Sequence, residues 1–124
     1  MDKAQAIVSF WGHVSSLPVY DENKIPEDAQ LPYLTCEVST GSFEHDIPLT
    51  ANLYYRDTSW EAISKKAESI AKNIREMRNT TTVIDGGRVR IWEGDTPLCQ
   101  RMADVDDSIR RIVINIMVEF MTDY

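Results

Sequence analysis

The chain has 124 residues, 43% of them hydrophobic and 27% charged, which allows one hydrophobic core and leaves too little length for two. Thirteen Lys and Arg stand against 20 Asp and Glu, a formal net charge of −7. That balance argues against duplex binding, because affinity for nucleic acid rests on basic side chains that neutralise phosphates.

The acid is unevenly spread: residues 1–57 hold 3 basic and 9 acidic residues, and the remainder holds 10 and 11. Such asymmetry suits a protein that shows unlike faces to its neighbours, although a solvated acidic surface that aids solubility is the simpler reading. Cys36 and Cys99 are far apart and form no CxxC pair, so neither a metal framework nor a secreted-type disulfide scaffold is expected, and a reducing compartment fits. No basic leader with an apolar run opens the sequence, and no apolar stretch of about 18 residues occurs, so neither export nor a membrane span is expected.

Ala4, Ile7, Val8 and Trp11 fall at helical spacing and predict a short amphipathic helix that Gly12 ends. Residues 17–30, with Pro18, Pro26 and a cluster of acids and amides, read as an extended surface connector. From Leu31 to Val38 the residues Leu34, Cys36 and Val38 alternate with Tyr33, Thr35 and Glu37; Ile47 to Arg56 repeats the pattern with Ile47, Leu49, Ala51, Leu53 and Tyr55. These are half-buried strands, expected to pair as a hairpin across the polar segment 39–46.

Thr58-Ser-Trp-Glu61 has the spacing of a capping box, and Trp60, Ile63, Ala67, Ile70, Ala71, Ile74 and Met77 then recur every three or four residues. The helix they predict spans roughly 30 Å at about 1.5 Å per residue. Thr80 to Ile84 and Arg88 to Trp92 flank Asp85-Gly86-Gly87, a turn signal that predicts a second hairpin. Residues 93–108 read as a long acidic loop with room for a helical turn around 98–103. Ile109 to Met121 predicts an unusually long strand with Ile112, Ile114, Ile116, Val118 and Phe120 on its core face. Its other face, which carries Arg111, Asn115 and Glu119 among apolar residues, suits contact with a neighbouring subunit. The order implies an α+β fold: a mainly antiparallel sheet of about four to five strands with two helices packed on one face.

Chemistry-bearing patterns are missing. His13 and His45, both read as surface residues, have no serine, cysteine or carboxylate at a motif spacing. Asp104-x-Asp-Asp-Ser108 lacks the glycine and distal glutamate of a calcium loop, and Asp85-Gly-Gly87 lacks the Lys and Ser or Thr of a phosphate loop. Cys36 reads as a small core hydrophobe, and Cys99 has no basic activator nearby in sequence beyond Arg101. No catalytic residue, metal site or cofactor is expected.

Pro26-Glu-Asp-Ala-Gln-Leu-Pro-Tyr-Leu-Thr35, a strand ending in Leu53-Tyr-Tyr-Arg56, Thr58-Ser-Trp-Glu-Ala62, Gly94-Asp-Thr-Pro-Leu-Cys-Gln-Arg-Met102 and Asp106-Asp-Ser-Ile-Arg-Arg-Ile112 follow one another in an order that resembles the tail-terminator or tail-completion proteins of tailed phages and prophages, above all those of Gram-positive hosts. The resemblance covers nearly the whole chain and rests on the ordered set. It implies a sixfold ring that caps the tail tube, ends its polymerisation and offers a docking face for the head. The implied partners are further copies of the chain in a homo-hexamer, the tail tube protein and a head-completion or neck protein. It also implies assembly in the host cytoplasm and residence at the neck end of the virion tail, without membrane or sequence-specific nucleic-acid contact, though DNA passes through the ring. On this reading Arg110, Arg111, Asn115 and Glu119 are expected at subunit contacts, and Trp92 and Arg101 against the tube or the adjacent subunit. Other readings are a head-tail connector or neck protein, a small hydrolase, or a host regulatory binding module.

Overall fold

In the computed structural model, described for residues 1–40, 46–94 and 98–124, helix α1 spans Lys3–Ser15 and so runs past the stretch from Ala4 to Trp11 that its spacing predicts. Ala6, Ile7, Phe10, Trp11 and Val14 form its buried side, and because Phe10 and Val14 continue the stripe, Gly12 lies inside the helix and does not end it. Ser16, at φ 56°, is the left-handed cap, its N–H donating to the Gly12 carbonyl at 2.9 Å. A capping box does occur here: Asp2 accepts from the Gln5 N–H while Gln5 accepts from that of Asp2.

Among the described residues seven strands make one mixed sheet: β1 (Val19–Asp21), β2 (Tyr33–Cys36), β3 (Ile47–Arg56), β4 (Thr82–Ile84), β5 (Gly87–Trp92), β6 (Cys99–Met102) and β7 (Ile109–Thr122). Helix α2 (Glu61–Glu76) follows β3. The order across the sheet is β1-β2-β3-β7-β5-β4, with β6 also paired to β7. The sheet therefore has more strands than the four to five expected. β1 and β2 run parallel and every other pair is antiparallel. β1 falls inside the segment expected as a connector, and β6 inside the expected acidic loop, where it replaces any helical turn. Both are three or four residues long, too short to show an alternation of their own. Residues 41–45 of the loop between β2 and β3, His45 included, and Asp95, Thr96 and Pro97 lie outside the described residues.

β7 is the spine. One edge pairs with β3 from Ile109 to Val118; the other pairs with β6 from Arg111 to Ile114 and with β5 from Met117 to Thr122. Ile112, Ile114, Ile116, Val118 and Phe120 are buried in a single cluster with Leu34, Cys36, Leu49, Ala51 and Leu53 of the neighbouring strands and with the apolar stripes of both helices. Each fully buried Ile or Leu contributes about 2 kcal/mol through burial of apolar surface.

The start of α2 differs from the capping box expected at Thr58. Trp60 occupies the cap position with helical dihedrals and no side-chain cap bond. Ser59 Oγ accepts from the Glu61 N–H instead, and Asp57 Oδ1 from the Ser59 N–H. Between β4 and β5, Gly86 adopts φ 81°, and a Cβ on Gly87 would stand 2.0 Å from the Met121 carbonyl oxygen. Only glycine admits β7 this close to the turn.

Candidate interaction surfaces

Alternation along β7 sends Arg111, Val113, Asn115, Met117 and Glu119 to the face that carries no helix, where all five are half-buried. Register brings like-facing neighbours beside them. Tyr54 of β3 stands opposite Arg111, Thr50 opposite Asn115, Trp92 of β5 opposite Met117 and Arg90 opposite Glu119.

Three tyrosines continue this face toward the β1 edge. Tyr20, Tyr33 and Tyr54 lie ring to ring, with centroids 5.5 and 5.6 Å apart. Burial is the first cause that raises the Tyr33 hydroxyl above its ordinary pKa, with Tyr54, Tyr20 and Asp104 adding to it. The Tyr33 phenol therefore stays neutral at physiological pH, and the three rings give this part of the face flat apolar area with polar tips. At the other side the Arg90 guanidinium lies 4.4 Å from the Trp92 ring centroid, and Arg111 reaches the Asn52 side chain at 3.5 Å and the Ala103 carbonyl at 3.2 Å. Trp92, Arg111, Asn115 and Glu119, expected at an interface, thus share one continuous surface.

Arg101 and Arg110 do not. They lie on the helix side, where both guanidiniums face the Trp60 ring, 5.0 and 5.4 Å from its centroid. Arg110 also donates to the Thr58 and Asp107 carbonyls at 2.6 and 2.9 Å, and Arg101 to Ser64 Oγ at 3.3 Å. Arg56 and Asp57 join the same knot through Ser108. These contacts tie the start of α2 to both ends of the β6–β7 turn inside one subunit. A tryptophan read only as part of the helix stripe is the centre of the knot; the two arginines are more than 40 residues away in sequence, so no local pattern links them.

Beside this knot a groove of about 810 Å³ runs between α2 and β6. Ala67, Ala71, Leu98, Cys99 and Ile112 give it an apolar floor, and Lys72, Arg75 and Arg101 stand among its polar lining with Glu68 and Glu76. The Cys99 thiol is oriented at the Ala67 carbonyl, 3.9 Å away, and burial raises its pKa against the opposing pull of Arg75. That makes it a poor nucleophile. Cys36 is pushed up to about 11 by burial and then by Asp21 and Glu22. His13 is exposed at the rim of a cavity of about 250 Å³ lined by Phe10, Met77, Val89 and Ile91, with the hydroxyls of Ser9, Thr80 and Thr82 but no carboxylate in that lining.

Among the described residues no three His, Cys, Asp or Glu side chains come together as a metal site, and no helix is long and apolar enough to cross a membrane. What the surfaces offer chemically is recognition: aromatic and aliphatic area with arginines and carboxylates at fixed places. The chain matches no protein-family model and no curated protein.

Proposed function

We propose that the chain is a ring-forming structural subunit of a phage tail terminator, which caps the tail tube, ends its polymerisation and gives the head-completion protein a docking face. One observation carries this reading beyond the sequence resemblance: a helix-free sheet face stretches the length of β7 and continues through Tyr54, Tyr33 and Tyr20, half-buried rather than fully solvated. Isolated domains rarely leave so much contiguous aromatic and aliphatic surface open, and interfaces are enriched in Tyr, Trp, Met and Arg. On this reading the mechanism is binding, and Trp92, Arg111, Asn115 and Glu119 act at contacts with copies or with the tube. A ring also requires two unlike side patches on each subunit.

The test is the mass and shape of the purified protein, by sedimentation and negative-stain imaging, together with its effect on tube protein polymerising in vitro. A closed ring of six that arrests tube growth is the expected result. A protein that stays monomeric at high concentration and leaves tube growth unchanged overturns the reading, and a ring of twelve moves it to a head-tail connector.

A further inference from the structure

Asp21, Cys36, Ala51, Ile114 and Cys99 form one register row across β1, β2, β3, β7 and β6. With strands about 4.8 Å apart, the two ends of that row are roughly 19 Å from each other, on opposite edges of the sheet. At one end, immediately after Asp21, the chain enters residues 22–28, all exposed. At the other, Cys99 lies in the floor of the α2–β6 groove.

The two ends are complementary. Residues 22–28 carry Glu22, Glu27 and Asp28 against a single Lys24, a net acidic segment around Ile25, a large apolar side chain left 42% exposed. The segment is held in shape by local bonds: Asn23 N–H to Asp21 Oδ1 and Lys24 N–H to the Asp21 carbonyl, both 2.9 Å, then Ala29 N–H to the Pro26 carbonyl at 3.1 Å. The groove has an apolar floor, and its exposed rim carries Lys72 and Arg75 beside Glu68 and Glu76, with Arg101 at one end. None of the carboxylates of Glu22, Glu27 and Asp28, nor the cationic groups of Lys72 and Arg75, is used in an ion pair or hydrogen bond among the described residues.

We infer that residues 22–28 of one copy dock into the α2–β6 groove of the next copy, Ile25 on the apolar floor and Glu27 and Asp28 against Lys72 and Arg75. Knob and groove sit on opposite edges of the sheet, so the contact is head to tail: each copy gives with one edge and receives with the other, the arrangement that generates a ring when the rotation closes. The inference rests on the ring reading above and names the surfaces that would close it. An ordered, pre-shaped acidic segment loses little conformational entropy on docking, and opposite charges at the rim set direction and register.

The test uses full-length chains with Cys99→Ser. One carries Ile25→Cys and the other Lys72→Cys, and they are mixed with a short bismaleimide linker. The expected result is a covalent dimer from the mixture and none from either variant alone. In parallel, Glu27→Lys or Arg75→Glu alone lowers the assembled fraction at least tenfold, and the double variant Glu27→Lys/Arg75→Glu restores it; circular dichroism confirms that each variant folds. A wild-type ring in which neither the linker nor the charge reversals have any effect overturns this contact and leaves the terminator reading standing. A wild-type chain that forms no ring, with or without tube protein, overturns both.

Discussion

The Arg110 guanidinium lies 5.4 Å from the Trp60 ring centroid while donating a 2.6 Å hydrogen bond to the Thr58 carbonyl, two residues before that ring. One side chain from the start of the longest strand thereby holds the residue that begins the second helix. The helix lacks a side-chain cap at Trp60, so this contact and the Ser59 bond fix its first turn in place of a cap.

Arg110→Ala is expected to cost about 1–3 kcal/mol, combining a cation–π contact of about 0.5–1 kcal/mol with the loss of charge-assisted bonds to the Thr58, Asp107 and Ile109 carbonyls. Arg110→Lys recovers only part of it, because an ammonium cannot span these carbonyls and the ring face. Urea unfolding at fixed protein concentration measures both. Equal midpoints for wild type and Arg110→Ala would show that the knot is decorative.

Gly87→Ala places a methyl group 2.0 Å from the Met121 carbonyl oxygen, a backbone atom that cannot swing away. The expected outcome is a loss of about 2 kcal/mol or more, with faster amide exchange in β5 and at the end of β7. Gly86→Ala meets the Tyr124 ring instead, a side chain able to move, so its cost is mainly the positive φ of 81° and should be smaller, about 1 kcal/mol. The reverse ranking in thermal melts would contradict this assignment of space.

Cys36 ties stability to alkaline pH. Its folded-state pKa is raised from 9.0 to about 11, so the neutral thiol favours the fold: the contribution is complete below pH 9 and disappears as the pH rises through 11. Cys36→Ala loses packing at every pH but should remove that slope. The gap in urea midpoint between wild type and variant is therefore expected to shrink across this window, and a constant gap would refute the linkage. At pH 8 the folded thiol should resist a disulfide reagent that modifies it readily in urea.

Val113 stands on the helix-free face between Asn52 and Gln100 in register. Val113→Glu should leave the monomer within about 1 kcal/mol of wild-type stability, since neither neighbour is in the core, yet abolish assembly through this face. Sedimentation of the variant beside its melting curve separates the two effects; an intact ring would remove this face from the subunit contacts.

Long periodic elements are legible in the amino-acid order itself. Five alternating core positions in β7 and the stripe from Ile63 to Ile74 repeat often enough that only one period fits. The Asp85-Gly86 turn is legible for a different reason, since few residues tolerate a φ of 81°. β1 and β6 are not legible: strands of three and four residues owe their existence to edges supplied by β2 and β7. Among the candidate interface residues, alternation along β7 groups Arg111, Asn115 and Glu119 on one face, but it cannot show that Arg101 and Arg110 turn inward to Trp60.

Composition and local period by themselves determined an acidic α+β chain with one long central strand, a long amphipathic helix and a tight glycine hairpin, because burial of apolar side chains at period 2 or 3.6 is a property of neighbours in sequence. Tertiary structure alone decided which edges the short strands occupy, that Trp60 gathers two distant arginines, and that a net acidic segment and the groove bearing Lys72 and Arg75 end up at opposite ends of one register row. Those relationships depend on pairings between residues tens of positions apart, which no local pattern encodes.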